Sequence, residues 1–376
     1  MNYVKSGYEE GFKDLISVLN KFIELGVPGN DCAVYHKGEL VLRHMAGYSS
    51  LENKTPINGK EMYNVYSCSK PLTCTAALQL WERGAFDLDE PLYRYMPEFK
   101  EMTVQTDGGI EKAENHITIR QLFTMSAGFD YDVQRESIKR VYMQTDGKCP
   151  TRKTIEALAN EPLIFEPGTS WQYSLCHDVL AAFVEVVSGK KFGDYVRDNI
   201  FNPLGMTRST FSCSEERFAE LADQYILDDN TKEHFNCGKH IRNYKLGSEY
   251  ESGGAGCVTC LDDYVKFLEA LRIGDIILKS ETIDMMSTNQ IDGDVLRAYQ
   301  DQPIRVKYGY GLGVRAPYTD DALQDFGWGG AAGSYLAVDR KNDFTLFYAQ
   351  HLFGSPVPDI EQKWSLGSYA RKGIMK

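Results

Sequence analysis

Strand-like segments lie near both ends of this 376-residue chain, and a long stretch with helical patterns separates them. Near the start, residues 32–35 and 40–42 flank Gly38, which can supply the positive φ of a hairpin turn. Near the end, apolar runs predict three further strands, at residues 308–314, 335–338 and 344–349. This order of segments is typical of an antiparallel sheet that a helical insertion interrupts.

The predicted fold class is therefore α/β (α+β), with helices flanking the antiparallel sheet. A first helix precedes the hairpin, because apolar residues recur there at helical spacing, namely Phe12, Leu15, Ile16, Leu19, Phe22 and Ile23. Another helix is expected to end at Gly189, and a closing helix is expected over about 359–372. We expect residues 1–66 and 250–376 to form an α/β domain and residues 67–249 to form a mostly helical domain, with the active site at their interface.

Composition excludes several classes of function. The formal net charge is −12 and no long Lys/Arg run is present, so binding to nucleic acid is not expected. No stretch approaches the roughly 20 apolar residues that span a bilayer, and the first residues lack the pattern of a signal peptide. The nine scattered cysteines therefore predict a cytoplasmic protein with reduced thiols. Cys257 and Cys260 form a CxxC pair, but no second pair completes a zinc site, so we expect neither a metal nor a cofactor.

Ser67 and Lys70 lie at the start of a predicted helix, in the sequence SCSK after a strand-like run at residues 62–66. Three residues apart on a helix, the hydroxyl and the amine share one face. A neutral amine can take the proton of the serine, and the N–H groups at a helix N-terminus can stabilise an oxyanion. A second match, SGKK at residues 188–191, is expected to be an ordinary cap and turn. The spacing alone leaves open whether Ser67 is a nucleophile or a chance match.

Several segments accompany Ser67 in a characteristic order. They are LWERGAFDLDEP at 80–91, YMPEF at 95–99, ITIRQLFTMSAG at 117–128, PGTSWQYS at 167–174 and the glycine pair at 253–254. In this order they resemble the penicillin-recognising serine hydrolases, which include class C β-lactamases, serine D,D-carboxypeptidases and carboxylesterases of the same β-lactamase/transpeptidase-like fold. The resemblance covers roughly residues 20–350.

The resemblance implies roles for individual residues. Ser67 would be the acylated nucleophile and Lys70 its partner in proton transfer. Tyr173 matches the tyrosine of the second motif, which lies beside the nucleophile and shares its proton with the lysine. The alternative for Tyr173 is a packing role, as for many of the 23 tyrosines in the chain.

The third motif of the family lies on a strand that faces the serine, and residues 327–334 (GWGGAAGS) match it. The resemblance implies that the N–H groups of Ala331 and Ser67 form the oxyanion hole. Gly329 and Gly330 would let this backbone approach a substrate closely, because they carry no Cβ. The alternative is a glycine-rich turn that Trp328 anchors in the core.

Two departures from the family pattern concern the substrate. Leu175 stands where an asparagine usually holds the acylamino side chain of the substrate, and Trp328 stands where a lysine or histidine usually meets its carboxylate. A tryptophan in the third motif is similar to what the carboxylesterases of this fold carry. A site without either polar contact is expected to prefer a neutral, less polar acyl group.

We therefore expect a serine carboxylesterase that acts on small, neutral or short-chain acyl esters, or an acyltransferase with the same acyl-enzyme. Two alternatives stay open: a β-lactamase or D-alanyl-D-alanine carboxypeptidase whose missing contacts come from elsewhere, and a non-catalytic binding or sensing protein. The sequence leaves the oligomeric state open. His177 lies near the predicted site but is expected to be structural, and Cys68 and Cys176 are either oxidation-sensitive thiols or small fillers.

Overall fold

The computed structural model describes residues 1–212, 219–228, 230–239, 245–354 and 359–375, and residues 359–364 by their backbone alone. The α-helices span Lys13–Glu24, Ser69–Glu82, Ile119–Phe123, Glu136–Gln144, Thr151–Glu156, Cys176–Ser188, Phe192–Val196, Asn202–Leu204, Leu261–Ile273, Ser280–Ser287, Gly293–Tyr299 and Asp359–Met375. The strands, numbered along the chain, are β1 (Tyr3–Val4), β2 (Gly29–His36), β3 (Glu39–Ser50), β4 (Thr55–Pro56), β5 (Met62–Asn64), β6 (Thr103–Thr106), β7 (Gly109–Lys112), β8 (Tyr225–Leu227), β9 (His234–Asn236), β10 (Val258–Cys260), β11 (Tyr308–Tyr310), β12 (Arg315–Pro317), β13 (Phe326–Gly329), β14 (Tyr335–Asp339), β15 (Phe344–Gln350) and β16 (Leu352–Phe353).

The two ends of the chain share one antiparallel sheet, which confirms the predicted fold class. Nine strands form it, in the order β1-β3-β2-β15-β14-β13-β12-β11, and β4 pairs with β3 at one side. The junction between the ends is the pair β2 and β15, in which Cys32 lies opposite Tyr348. Strand β13, which carries the third motif, therefore belongs to the same sheet as the N-terminal hairpin of β2 and β3.

Helices cover the sheet as the apolar patterns predict. In the Lys13–Glu24 helix, Leu15, Leu19 and Phe22 are buried, and this helix packs against the Asp359–Met375 helix. A Cβ on Gly373 would lie 2.4 Å from the ring of Phe12, so glycine permits the close approach of these two chain ends. The Leu261–Ile273 helix contacts β14 and β15. No helix of the described residues is both long and apolar enough to cross a membrane.

The central part of the chain combines helices with short strands. Its buried Ser69–Glu82 and Cys176–Ser188 helices pack against each other, and the second ends at Gly189 with a φ of +70°, as the SGKK turn predicts. The same part also contains the hairpin of β6 and β7, and strands β8 and β9, of which β8 pairs with the distant β16. The division into domains stays a prediction.

The predicted strand at 308–314 is wrong in its extent. The segment is split into β11 and β12, which pair as a hairpin, with Tyr310 opposite Arg315. Gly313 has a φ of +89°, and a Cβ there would lie 2.3 Å from Cys74 Sγ. The strand ends early because Gly313 has a backbone conformation that favours glycine and lies close to the Ser69–Glu82 helix.

Candidate active site

The backbone at Ser67 forms a sharp turn between a strand and a helix. Tyr66 has a φ of +46°, which is uncommon and strained for a residue with a side chain. Its side chain is buried, its hydroxyl donates a hydrogen bond to Gln224 Oε1 (3.2 Å), and its ring packs on Phe353. These contacts hold Ser67 at the entrance of the Ser69–Glu82 helix.

Ser67, Lys70 and Tyr173 meet as the motifs predict. The Tyr173 hydroxyl donates a hydrogen bond to Ser67 Oγ at 2.5 Å, and Lys70 Nζ donates one to the same oxygen at 3.2 Å. Lys70 Nζ also lies 4.5 Å from the centre of the Tyr173 ring. Lys70 is fully buried, whereas Ser67 is 8 % exposed and Tyr173 is partly buried, so the serine and the tyrosine reach solvent and the lysine does not. A serine hydroxyl held against two groups that can exchange its proton has the surroundings that a nucleophile requires.

Lys70 has two further partners. Its Nζ donates a hydrogen bond to the carbonyl of Gly254 at 2.8 Å and lies 3.3 Å from the hydroxyl of Tyr131. The ring of Tyr131 stacks on that of Tyr173 with centroids 5.5 Å apart. Lys70 Nζ is thus fixed between two tyrosines and a backbone carbonyl, with Ser67 as its fourth contact.

Asp178 supports this arrangement from the far side of Gly254. It is buried and accepts hydrogen bonds from Ser252 Oγ (2.6 Å) and the hydroxyl of Tyr250 (2.9 Å). Burial raises the pKa of the Asp178 carboxyl, while the hydrogen bond from Ser252 and the charge of Lys70 oppose that shift. Asp178 therefore anchors the loop whose carbonyl holds Lys70.

The third motif lies directly beside the turn at Ser67. A Cβ on Gly330 would come within 2.3 Å of the carbonyl oxygen of Val65, so only glycine fits there. Ser334 Oγ donates a hydrogen bond to the same carbonyl at 3.0 Å and accepts one from Cys68 Sγ at 3.4 Å. The turn between β13 and β14 is thereby fixed to the turn that carries the serine.

The other predicted residues of the third motif occupy this strand and turn. Trp328 Nε1 donates a hydrogen bond to the hydroxyl of Tyr173 at 3.3 Å, and the two rings stack with centroids 5.7 Å apart. Gly329 has room for a Cβ, since the nearest atom would be the carbonyl oxygen of Ser334 at 3.4 Å. Ala331 lies in the turn after β13 and is exposed.

Leu175 lies in the hydrophobic core and is only 4 % exposed. It precedes the Cys176–Ser188 helix and lines a small cavity together with Phe129 and Leu158. Its side chain therefore supplies no polar group where the family places an asparagine.

His177 is buried, as expected for a structural residue. Its Nε2 lies 3.2 Å from the carbonyl oxygen of Phe123 and 3.6 Å from Cys74 Sγ. Burial lowers the pKa of His177 to about 3, and the charge of Lys70 acts in the same direction. The Cys176 thiol is also buried, and burial raises its pKa to about 11, which disfavours the reactive thiolate.

Sequence reasoning missed Tyr131 and Asp178. Tyr131 belongs to no motif, and nothing distinguishes it among the tyrosines of the chain. Asp178 left a usable signal, because it is a carboxylate directly before the apolar run at residues 179–184 of the Cys176–Ser188 helix. A charged residue in a helix that is buried on this scale is rarely without a specific partner.

An antiparallel sheet with a helical insertion, and a serine in contact with a buried lysine and a tyrosine, are features of the serine hydrolases that carry a Ser-x-x-Lys motif. A family model described as Beta-lactamase matches residues 12–370, nearly the whole chain. The chain belongs to the Beta-lactamase family and is a serine hydrolase, as its motifs predict.

Comparisons with individual proteins agree with this assignment. Esterase EstB of Burkholderia gladioli is 30 % identical over 335 residues, which cover 82 % of this chain and 81 % of EstB. Lovastatin esterase of Penicillium rubens is 28 % identical over 346 residues, which cover 83 % of this chain and 85 % of that protein. The solved structure of EstCE1, described as a hydrolase with promiscuous acyltransferase activity, superposes with a TM-score of 0.77 at 21 % identity, covering 99 % of this chain and all of EstCE1. This last likeness establishes the fold.

Proposed function

We propose that this protein is a serine carboxylesterase that forms an acyl-enzyme on Ser67 and passes the acyl group to water or to an acceptor alcohol. The observation that carries the proposal is the 2.5 Å hydrogen bond between Tyr173 and Ser67 Oγ, with Lys70 Nζ 3.2 Å from the same oxygen. The names of the esterase relatives support the same reaction.

In this mechanism one of the two groups, the Tyr173 hydroxyl or the Lys70 amine, is unprotonated at the start, and the pair takes the proton of Ser67 as its Oγ attacks the ester carbonyl. The backbone N–H groups of Ser67 and Ala331 receive the oxyanion, a role supported by the close packing of the Gly330 turn on Val65. The bond from carbonyl carbon to alkoxy oxygen then breaks, and the alcohol leaves with the relayed proton. Water, or an acceptor alcohol, gives its proton to the same pair and attacks the acyl-enzyme, which frees Ser67.

The acyl group next to the reacting carbonyl is proposed to be neutral. Leu175 offers no side-chain hydrogen bond, and Trp328 directs its single N–H to Tyr173 rather than carrying a positive charge. Gly329 and Gly330 keep the strand edge beside the serine free of side chains, and we place the acyl chain there.

We also propose a reducing, cytoplasmic location. Eight of the nine cysteines lie in the described residues and all eight are buried, and six of them are free thiols, namely Cys32, Cys74, Cys149, Cys176, Cys237 and Cys260. Unpaired buried thiols are typical of proteins kept in a reducing compartment.

A side-by-side assay tests the proposed reaction. Turnover of p-nitrophenyl butyrate and of nitrocefin is measured for the wild type and for Ser67→Ala. We expect ester turnover that the variant loses by a factor of at least about 10³, because the nucleophile is gone, and little nitrocefin hydrolysis. Fast nitrocefin hydrolysis would instead favour the β-lactamase alternative. Failure to turn over or label with any acyl probe would favour a binding or sensing protein.

A further inference from the structure

Three aromatic side chains and one arginine form a compact group beside the active site, here called the Arg305 cluster: Trp171, Tyr299, Arg305 and Tyr310. Ring centroids lie 5.0 Å apart for Trp171 and Tyr299, 5.6 Å for Trp171 and Tyr310, and 5.5 Å for Tyr299 and Tyr310. The guanidinium carbon of Arg305 lies 4.8 Å from the ring centre of Trp171 and 5.1 Å from that of Tyr299.

The cluster adjoins the catalytic residues directly. Tyr310 packs edge-on against Trp328 at 5.3 Å, and Trp171 packs against Tyr173 at 6.3 Å. Arg305 is also close enough to the Tyr173 phenol to interact with it electrostatically. One ring thus separates the guanidinium from the tyrosine that contacts Ser67.

Every member of the cluster has a buried polar atom that no described protein group pairs with. These atoms are Trp171 Nε1, the Tyr299 hydroxyl, Arg305 Nε and the Tyr310 hydroxyl. The two tyrosines are fully buried and Trp171 is 7 % exposed. All four groups can donate a hydrogen bond, and a buried donor without an acceptor costs free energy. Four such donors in contact with one another favour the binding of a ligand that carries hydrogen-bond acceptors.

Arg305 is partly buried, and its surroundings differ from those of three other buried or partly buried arginines of the described chain. Arg43 binds Asp31, Arg315 binds Asp325, and Arg371 binds Asp339, so each of those charges faces a carboxylate. Among the described residues no carboxylate forms an ion pair with Arg305, whose charge contacts aromatic rings instead. Burial lowers the pKa of the Arg305 guanidinium, which nevertheless stays a cation at neutral pH.

We propose that the Arg305 cluster binds a carboxylate carried by the ester substrate at a distance from its reacting carbonyl. A planar carboxylate matches the forked donors of a guanidinium, and the hydroxyl and indole donors supply further hydrogen bonds. A single cation in a protein of net charge −12 favours this monoanion over a phosphate dianion. The proposal rests on the proposed esterase function and adds a residue that determines specificity. The part of the substrate next to Ser67 is still neutral, and the carboxylate lies farther from the reacting carbonyl.

The test compares two matched pairs of substrates. In the first pair the acyl chain differs: p-nitrophenyl hexanoate against mono-p-nitrophenyl adipate. In the second pair the alcohol differs: phenyl butyrate against 4-carboxyphenyl butyrate. For the wild type we expect the carboxylate member of one pair to have the higher kcat/KM. In Arg305→Gln the ratio of carboxylate to neutral kcat/KM should fall at least about tenfold, mainly through KM, because a charge-assisted hydrogen bond is lost.

Arg297→Gln is the matched control. Arg297 is an exposed arginine in the neighbouring Gly293–Tyr299 helix that pairs with Asp294, so its removal should leave the ratio unchanged. Arg305→Lys keeps the charge without the fork and should give an intermediate ratio. An equal loss on both members of each pair, or no preference for a carboxylate in the wild type, would overturn the proposal. If the wild type hydrolyses none of the four esters, the proposed function itself fails, which is a distinguishable result.

Discussion

Gly254 is the residue at which the groups around Lys70 converge. A Cβ there would lie 2.5 Å from Asp178 Oδ2, 2.9 Å from the Tyr131 hydroxyl and 3.4 Å from Lys70 Nζ. Contacts under 3.0 Å force a neighbour to move, and here both close neighbours belong to the surroundings of Lys70. Because Gly254 has no Cβ, the side chains of Lys70, Tyr131 and Asp178 can all pack against it.

Replacement of Gly254 by alanine therefore tests this positioning. In Gly254→Ala we expect kcat for p-nitrophenyl butyrate to fall by about 10- to 100-fold, because small displacements of a catalytic group have effects of this size. Gly108→Ala is the matched control, because Gly108 lies in the exposed turn between β6 and β7 and its Cβ would meet only the Glu111 and Thr106 side chains, at 3.1 and 3.6 Å. Thermal unfolding of both variants shows whether they fold. A Gly254→Ala enzyme with the kcat of the wild type would contradict this role.

At the scale of elements, a buried network of charges joins the sheet to the C-terminal helix. Asp325, just before β13, is fully buried and accepts hydrogen bonds from Arg315 in β12 and from Arg371 in the Asp359–Met375 helix. Arg371 also binds Asp339, the last residue of β14. These contacts fix the strands on both sides of the third motif to one helix.

Asp325→Asn should accordingly destabilise the fold. The substitution removes a negative charge that faces two guanidinium groups in a buried setting, and breaking a buried ion pair typically costs about 3–5 kcal/mol. The free energy of unfolding is measured by chemical denaturation. Asp320→Asn, at an exposed position five residues earlier, should change it by less than about 0.5 kcal/mol. Equal stability of the two variants would show that the network contributes little.

Long helices and strands could be predicted from the sequence, whereas short strands could not. The Lys13–Glu24 and Cys176–Ser188 helices repeat their apolar positions over several turns, and strands β14 and β15 are long apolar runs, so the sequence predicts them. Strand β8 has three residues and pairs with β16 more than a hundred residues away. A segment of that length shows no periodicity, and its pairing depends on the completed fold.

The site divides in the same way. The contacts of Ser67 with Lys70 and Tyr173 could be predicted because motif order and local spacing identify these residues. The contacts of Lys70 with Tyr131 and of Arg305 with Trp171 depend on loops that meet only in the folded molecule. Local sequence patterns carry no information on these contacts, because neither Tyr131 nor Arg305 belongs to one of the motifs.

At the scale of the whole molecule, burial of uncharged histidines links stability to pH. Burial lowers the pKa values of His44, His177 and His351, and that of His177 falls to about 3. His177 lies in the core between the Ser69–Glu82 helix, which supplies Cys74, and the carbonyl of Phe123. The folded protein thus keeps this ring neutral in a range where the unfolded chain binds a proton.

The direction of the effect follows from the pKa of His177, which is about 3 in the folded protein and has its ordinary value of 6.5 in the unfolded chain. Below the ordinary value of 6.5 the unfolded chain takes up a proton that folded His177 refuses until about pH 3, so stability is lost as the pH falls through this interval. At pH 5 the loss from His177 alone is about 2 kcal/mol. In His177→Asn the free energy of unfolding should decrease less between pH 7 and pH 5 than in the wild type, by that amount. His116→Asn, at an exposed position, is the control and should keep the wild-type slope. Parallel slopes for wild type and His177→Asn would mean that the folded core admits the proton.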